Sequence, residues 1–96
     1  MTTATIDLET LEAAITDQVK TVEFYYRELQ RATEAQLQAE RLLYAEQRAG
    51  DPAGLVVDLV RECRKLQRST LQARDNYYQA YNLLKGLDRM KQEATQ

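Results

Sequence analysis

The 96-residue chain has no histidine and no tryptophan, and it holds only one cysteine, one proline and three glycines. Without histidine there is no His-ligated zinc, no imidazole general base, and no Ser-His-Asp or Cys-His arrangement. The lone Cys63 allows neither an internal disulfide nor a CxxC pair, and it fits a reducing compartment. Few prolines and glycines mean few turns. Neither charge sign dominates, since 13 Lys+Arg stand against 15 Asp+Glu for a net charge of -2. Long hydrophobic runs are also missing: no apolar stretch, Leu55-Val56-Val57 included, approaches the roughly 18 residues that span a bilayer. The segment from Met1 to Thr5 lacks the basic region and apolar core of a signal peptide. A cytoplasmic protein is therefore expected, with export by a route lacking a cleaved signal left open.

What is present is 44% hydrophobic and 29% charged residues, proportions of a folded chain and not of a disordered, collagen-like or disulfide-built one. At this length the chain forms one domain, residues 1–96. Asp7 reads as a helix N-cap, with Glu9 favoured in the first turn and Ile6 and Leu11 spaced as a hydrophobic staple. No Gly or Pro interrupts from there to Ala49, and Ala, Leu, Glu, Gln and Arg dominate. Gly50 supplies a helix-ending residue tolerant of left-handed geometry. Asp51-Pro52 then reads as the next N-cap and first helical position. The spacing thus predicts helix one over about 7–49, a turn at 50–52, helix two over about 52–91, weakened at Gly86, and a frayed tail at 92–96.

Steps of three and four pick out Leu8, Leu11, Ile15, Gln18, Val22, Tyr25, Leu29, Ala32, Gln36, Ala39 and Leu43 in helix one. In helix two they give Val56, Leu59, Cys63, Leu66, Thr70, Ala73, Tyr77, Ala80, Leu84 and Leu87. This is a coiled-coil seam with a few polar lapses. A short turn makes the helices antiparallel, so facing residues have numbers summing to about 103. Tyr25 and Tyr26 then lie opposite Tyr77 and Tyr78, with Phe24 near Tyr81, and the helices come closest at the neighbouring alanines. Residues 1–50 carry a net charge of -4 and residues 51–96 a net of +2. The same rule brings Glu34, Glu40 and Glu46 within reach of Arg61, Arg64, Lys65 and Arg68, although each exposed pair contributes only about 0.2–1 kcal/mol.

The chain has more apolar residues than one seam can use. Val19, Tyr26, Leu37 and Leu42 flank the first stripe, and Val60, Leu71, Tyr78, Tyr81 and Leu83 flank the second. A two-helix core rarely supplies more than about 3–5 kcal/mol, so a second hairpin completing a four-helix bundle is expected. A different protein could fill the same face.

Few constellations could carry chemistry. Glu9-Thr10-Leu11-Glu12 is a Glu-x-x-Glu pattern without the histidine that di-metal bundles use, and it reads as solvated acid at a helix start. Arg61, Arg64, Lys65 and Arg68, extended by Arg74, form a basic stripe that could follow phosphates, but Asp58, Glu62 and Asp75 interrupt it and the chain is acidic overall. Cys63 reads as a small buried hydrophobe with no base to activate it. Gly86 reads as a close-packing point or a bend. The tyrosines are the most specific feature: half core and half snorkelling in one reading, a partner-binding hot spot in the other. No buried Arg cluster replaces a catalytic pocket.

Asp51-Pro52, the following Leu55 and a Tyr-rich second helix ending Lys85-Gly86-Leu87-Asp88 give a layout that loosely resembles needle and inner-rod subunits of type III secretion. That family consists of small helical hairpins with a Pro-containing turn. The family's tail signature is not reproduced and helix one is longer, so the resemblance implies the hairpin and no more. Small hairpin chaperones of secretion systems and minor phage proteins share this look.

The sequence therefore predicts an all-α antiparallel hairpin, completed to a four-helix bundle by dimerisation, that acts by protein–protein contact and not as an enzyme. Its expected interface is Tyr25, Tyr26, Tyr77, Tyr78, Tyr81, Val19, Leu37 and Leu71. The expected partner is a second copy or another helical protein, the latter in an adaptor, chaperone or regulatory-subunit role. Nucleic-acid binding through Arg61, Arg64, Lys65 and Arg68 is a minor alternative. No cofactor, metal, membrane or small-molecule substrate is expected.

Overall fold

The computed structural model describes residues 7–96, which form two long helices packed along one seam. Helix α1 spans Leu8–Arg48 and helix α2 spans Val56–Thr95. The hairpin is a rod of 73 × 20 × 16 Å. Asp7 caps α1 as expected, its Oδ1 accepting from the Glu9 N–H at 3.1 Å. The staple drawn between Ile6 and Leu11 lies outside the described residues, because Ile6 does.

The turn departs from the sequence reading. After the C-cap Ala49, the Gly50 N–H donates to the Gln47 carbonyl at 3.2 Å and the Asp51 N–H to the Glu46 carbonyl at 2.8 Å. That pair of bonds is a Schellman motif, with Gly50 at φ +85° as its left-handed residue. Asp51 is left-handed as well, at φ +59°, so the chain cannot enter a helix there. Pro52 instead follows Asp51 in a turn closed by the Gly54 N–H donating to the Asp51 carbonyl at 3.1 Å. Gly54, at φ +67°, keeps the chain out of helix until Leu55. The second helix thus begins at Val56 and not at Pro52. Asp51 nevertheless serves it from a distance, its Oδ1 accepting from the Val56 N–H at 3.1 Å. Glu46 braces the same turn by accepting from the Ala53 N–H at 2.9 Å.

The far end also differs. Residues 92–95 remain helical, because Gln, Glu and Ala are good helix formers and the Thr95 hydroxyl donates to the Lys91 and Gln92 carbonyls. Gly86 lies within α2, and a Cβ there would meet nothing within 4 Å, so it is not a close-packing point.

The seam is the one the periodicity traced. Leu11, Ala39, Cys63 and Ala80 are buried, and every other traced position except Leu8 is half-buried. Two of the polar lapses hold the helices together. The Gln18 Nε2 donates to the Ala80 carbonyl at 2.8 Å, and the Thr70 hydroxyl to the Ala32 carbonyl at 3.2 Å. A side chain as short as threonine reaching the opposite backbone shows how closely the helices approach beside Ala32 and Ala73. Gln36 turns along its own helix to Glu40 instead, at 2.8 Å.

Gly50→Ala and Gly54→Ala should each destabilise the hairpin by about 1–2 kcal/mol, the cost of a left-handed residue bearing a Cβ. Gly86→Ala should stabilise it by about 0.5–1 kcal/mol, since it removes backbone entropy from the unfolded chain and meets no obstacle. Urea midpoints compared at one protein concentration measure both, and a destabilised Gly86→Ala would contradict the open surroundings of that residue.

Candidate protein-binding face

Heptad positions follow from the seam. In α1, Ile15, Val22, Leu29, Gln36 and Leu43 occupy a, and Leu11, Gln18, Tyr25, Ala32 and Ala39 occupy d. In α2, Val56, Cys63, Thr70, Tyr77 and Leu84 occupy a, and Leu59, Leu66, Ala73, Ala80 and Leu87 occupy d. In an antiparallel pair the e and b positions of both helices share one flank, and g and c share the other. The observed contacts agree with that geometry. Tyr26 at e has its ring 5.7 Å from that of Tyr77, which lies 5.7 Å from Tyr78 at b and stacks at 6.1 Å on Tyr81 at e. On the other flank, Phe24, Glu28, Ser69, Gln72 and Asn76 line a shared groove.

The two flanks differ in character. The e/b flank carries Val19, Tyr26, Leu37 and Tyr44 from α1, and Val57, Leu71, Tyr78 and Tyr81 from α2, all between 38% and 67% exposed. Val60 adds to the row, and a groove forms around Val57, Val60 and Arg64. The g/c flank exposes fewer large apolar side chains, Phe24, Leu42, Leu83 and Met90. It otherwise presents small or polar residues such as Ala14, Ala35, Ser69 and Asn76.

The expected interface residues therefore divide. Tyr26, Tyr78, Tyr81, Val19, Leu37 and Leu71 share the apolar flank, whereas Tyr25 and Tyr77 are half-buried seam residues. The single aromatic layer splits too. Phe24 packs edge-on against Tyr25, with ring centroids 5.3 Å apart, and does not join Tyr81. Successive helical residues are separated by about 100°, so Phe24 and Tyr26 point to opposite flanks. Leu42 and Leu83 leave the expected apolar row for the same reason. Two residues the sequence reading passed over belong to it: Tyr44, 61% exposed with the Arg48 guanidinium 5.5 Å from its ring, and Val57, 67% exposed. Their signal was the seven-residue spacing of Leu37 with Tyr44, and of Val57 with Arg64, Leu71 and Tyr78.

The charges are arranged differently from the sequence expectation. Among the described residues, Lys91 to Glu12, at 3.8 Å, is the one ion pair that joins the helices. Glu34 and Glu40 accept from neighbouring glutamines, Glu46 accepts from the turn, and Arg61 pairs with Asp58 on its own helix at 3.7 Å. Side chains one turn away along a helix need less ordering than those across the seam. Arg61, Arg64 and Arg68 do share a groove with the valines, while Lys65 is at a c position on the opposite side. Along the e/b flank the charge is segregated: α1 presents Glu9, Glu12, Glu23 and Glu40 with no basic residue, and α2 presents Arg64, Arg74 and Lys85 with one acid, Asp88. Among the described residues Arg64, Arg74 and Lys85 form no ion pair, although the Lys85 ammonium lies 5.3 Å from the centre of the Tyr81 ring.

Cys63 is a buried free thiol in the seam. Among the described residues no three Cys, Asp or Glu side chains gather in a way that could hold a metal ion, and no helix is long and apolar enough to cross a membrane. Comparison with known protein families, with curated proteins and with solved structures finds no match to this chain.

Burial makes a prediction about the thiol. Cys63 should react with a maleimide on the order of 100-fold more slowly in the folded protein than in the urea-unfolded chain, because labelling must wait for the seam to open. Equal rates would mean that the seam is not closed at that level.

Proposed function

We propose that this chain acts by protein–protein contact and not by catalysis, as a helical hairpin that associates with a second copy into a four-helix bundle. The observation that carries this reading is the row of large apolar side chains on the e/b flank, which two helices cannot cover by themselves. Area supports it. The chain exposes 7486 Å², against about 5,700 Å² for a compact monomer of its mass. The difference, about 1,800 Å², is more than twice the roughly 800 Å² that one partner contributes to a standard interface. Tyrosines recur along the row, and they give large contact area at low entropic cost.

Light scattering across a tenfold dilution should return twice the 11.1-kDa chain mass. Tyr78→Ala combined with Tyr81→Ala should raise the dissociation constant by about 100-fold while leaving the helical circular dichroism in place. An isolated chain that stays monomeric would mean that a different protein covers the face, as in an adaptor or chaperone. An unchanged mass in the double variant would remove the tyrosines from the interface.

A further inference from the structure

Two hairpin faces can meet about a two-fold axis lying in the plane between them, and two axis directions keep the helices aligned. An axis across the rod lays α1 on α1 and α2 on α2, with the turns at opposite ends. An axis along the rod lays α1 on α2 of the second copy, with both turns at the same end. Resting on the self-association proposed above, we propose that the e/b flank docks a second copy in the second way, as a bundle in which α1 of each copy lies against α2 of the other and both turns share one end.

Charge decides between them. The e/b row of α1 is acidic, with Glu12, Glu23 and Glu40, and that of α2 is basic, with Arg64, Arg74 and Lys85. The axis along the rod lays the acidic row of α1 over the basic row of α2 on both sides of the bundle. Glu40 comes level with Arg64 and Glu23 lies about one turn from Lys85, while Glu12 and Arg74 come level with Gln92 and Gln30. The axis across it sets acid on acid and base on base, and like charges juxtaposed at an interface are strongly disfavoured. The basic side chains are available, since among the described residues none of the three is held in an ion pair within the hairpin.

Level is preserved by an axis along the rod, so residues that face each other within the hairpin also face each other between copies. Tyr26, which meets Tyr77 inside the hairpin, comes beside Tyr78 of the second copy. Glu40 comes beside Arg64 of the second copy. Tyr44 enters the groove lined by Val57 and the half-buried Val60, which accounts for an aromatic ring and a valine left exposed on the same flank. These contacts repeat by symmetry on both sides of the axis.

The test uses charge reversal and mixing. Glu40→Arg alone and Arg64→Glu alone each place like charges together twice in a homodimer, and each should weaken dimerisation at least about 10-fold. In a mixed dimer, one chain carries a base at both positions and the other an acid at both, so each contact again joins opposite charges. Dimerisation should then recover to within a few-fold of the unaltered chain. Repulsion inside one hairpin would not be relieved by mixing, so recovery reports contacts between copies. Independently, a spin label at Ala53→Cys in a Cys63→Ala background should give label separations below about 30 Å, as expected for turns stacked one helix layer apart. The opposed arrangement would separate the labels by nearly the 73 Å length of the rod. A dimer with distant labels, or with no recovery on mixing, overturns this arrangement and leaves self-association standing. A monomer under all conditions overturns both.

Discussion

A pair of helices can bury only the stripe that each turns toward the other, and this limit governs the molecule. Over about 60 Å of contact, the length of 40 helical residues, the buried residues are Leu11, Ala39, Cys63 and Ala80, while the remaining seam residues stay partly wet. Small residues close the gap where the helices come nearest, and the Thr70 hydroxyl and Gln18 amide reach across to main-chain carbonyls. Such bonds fix register more than they add stability, because each replaces a bond to water. Everything beyond the stripe must be covered from outside or remain in solvent. The functional reading grows from that remainder.

The turn sets the geometry by which the remainder is sorted. Gly50, Asp51 and Gly54 all take left-handed conformations within five residues, and the carboxylates of Glu46 and Asp51 satisfy amides that the two helix ends leave open. A reversal this tight and this fully bonded allows one antiparallel register. With that register fixed, the two faces of the rod acquire different compositions: one rich in Tyr, Val and Leu with its charges divided between the helices, the other smaller and more polar.

Much of this was legible in the sequence, for a physical reason. The steps of three and four reflect burial directly, so the seam was readable residue by residue, and Asp7 announced the first helix through its capping chemistry. The turn was misread because Asp-Pro is a good helix start in isolation. Gly54 carried the contrary signal, since a glycine in the first turn of a helix has no reason to be there unless the backbone goes left-handed. Sequence separation gives the level of an aromatic residue along the rod but not its angle around it, so Phe24 reads as a neighbour of Tyr81 although it packs on Tyr25. The place of Tyr44 on the apolar flank shows only in its seven-residue spacing from Leu37. Ion pairs were the least legible element. Long side chains choose among several partners of nearly equal energy, and Arg61 and Glu40 both settled on neighbours along their own helices.

The rod shape has a hydrodynamic consequence. Its radius of gyration is 21.2 Å, a value that a compact chain reaches only at about 390 residues. Elution from a sizing column therefore reports elongation before it reports mass, and a monomer of this protein will run among much larger globular standards. A lateral pairing of rods doubles the mass and scarcely lengthens the particle, whereas an end-to-end pairing lengthens it nearly twofold. Frictional ratio and mass taken together distinguish these, so the shape that misleads a column calibration becomes a direct reading of how copies are arranged.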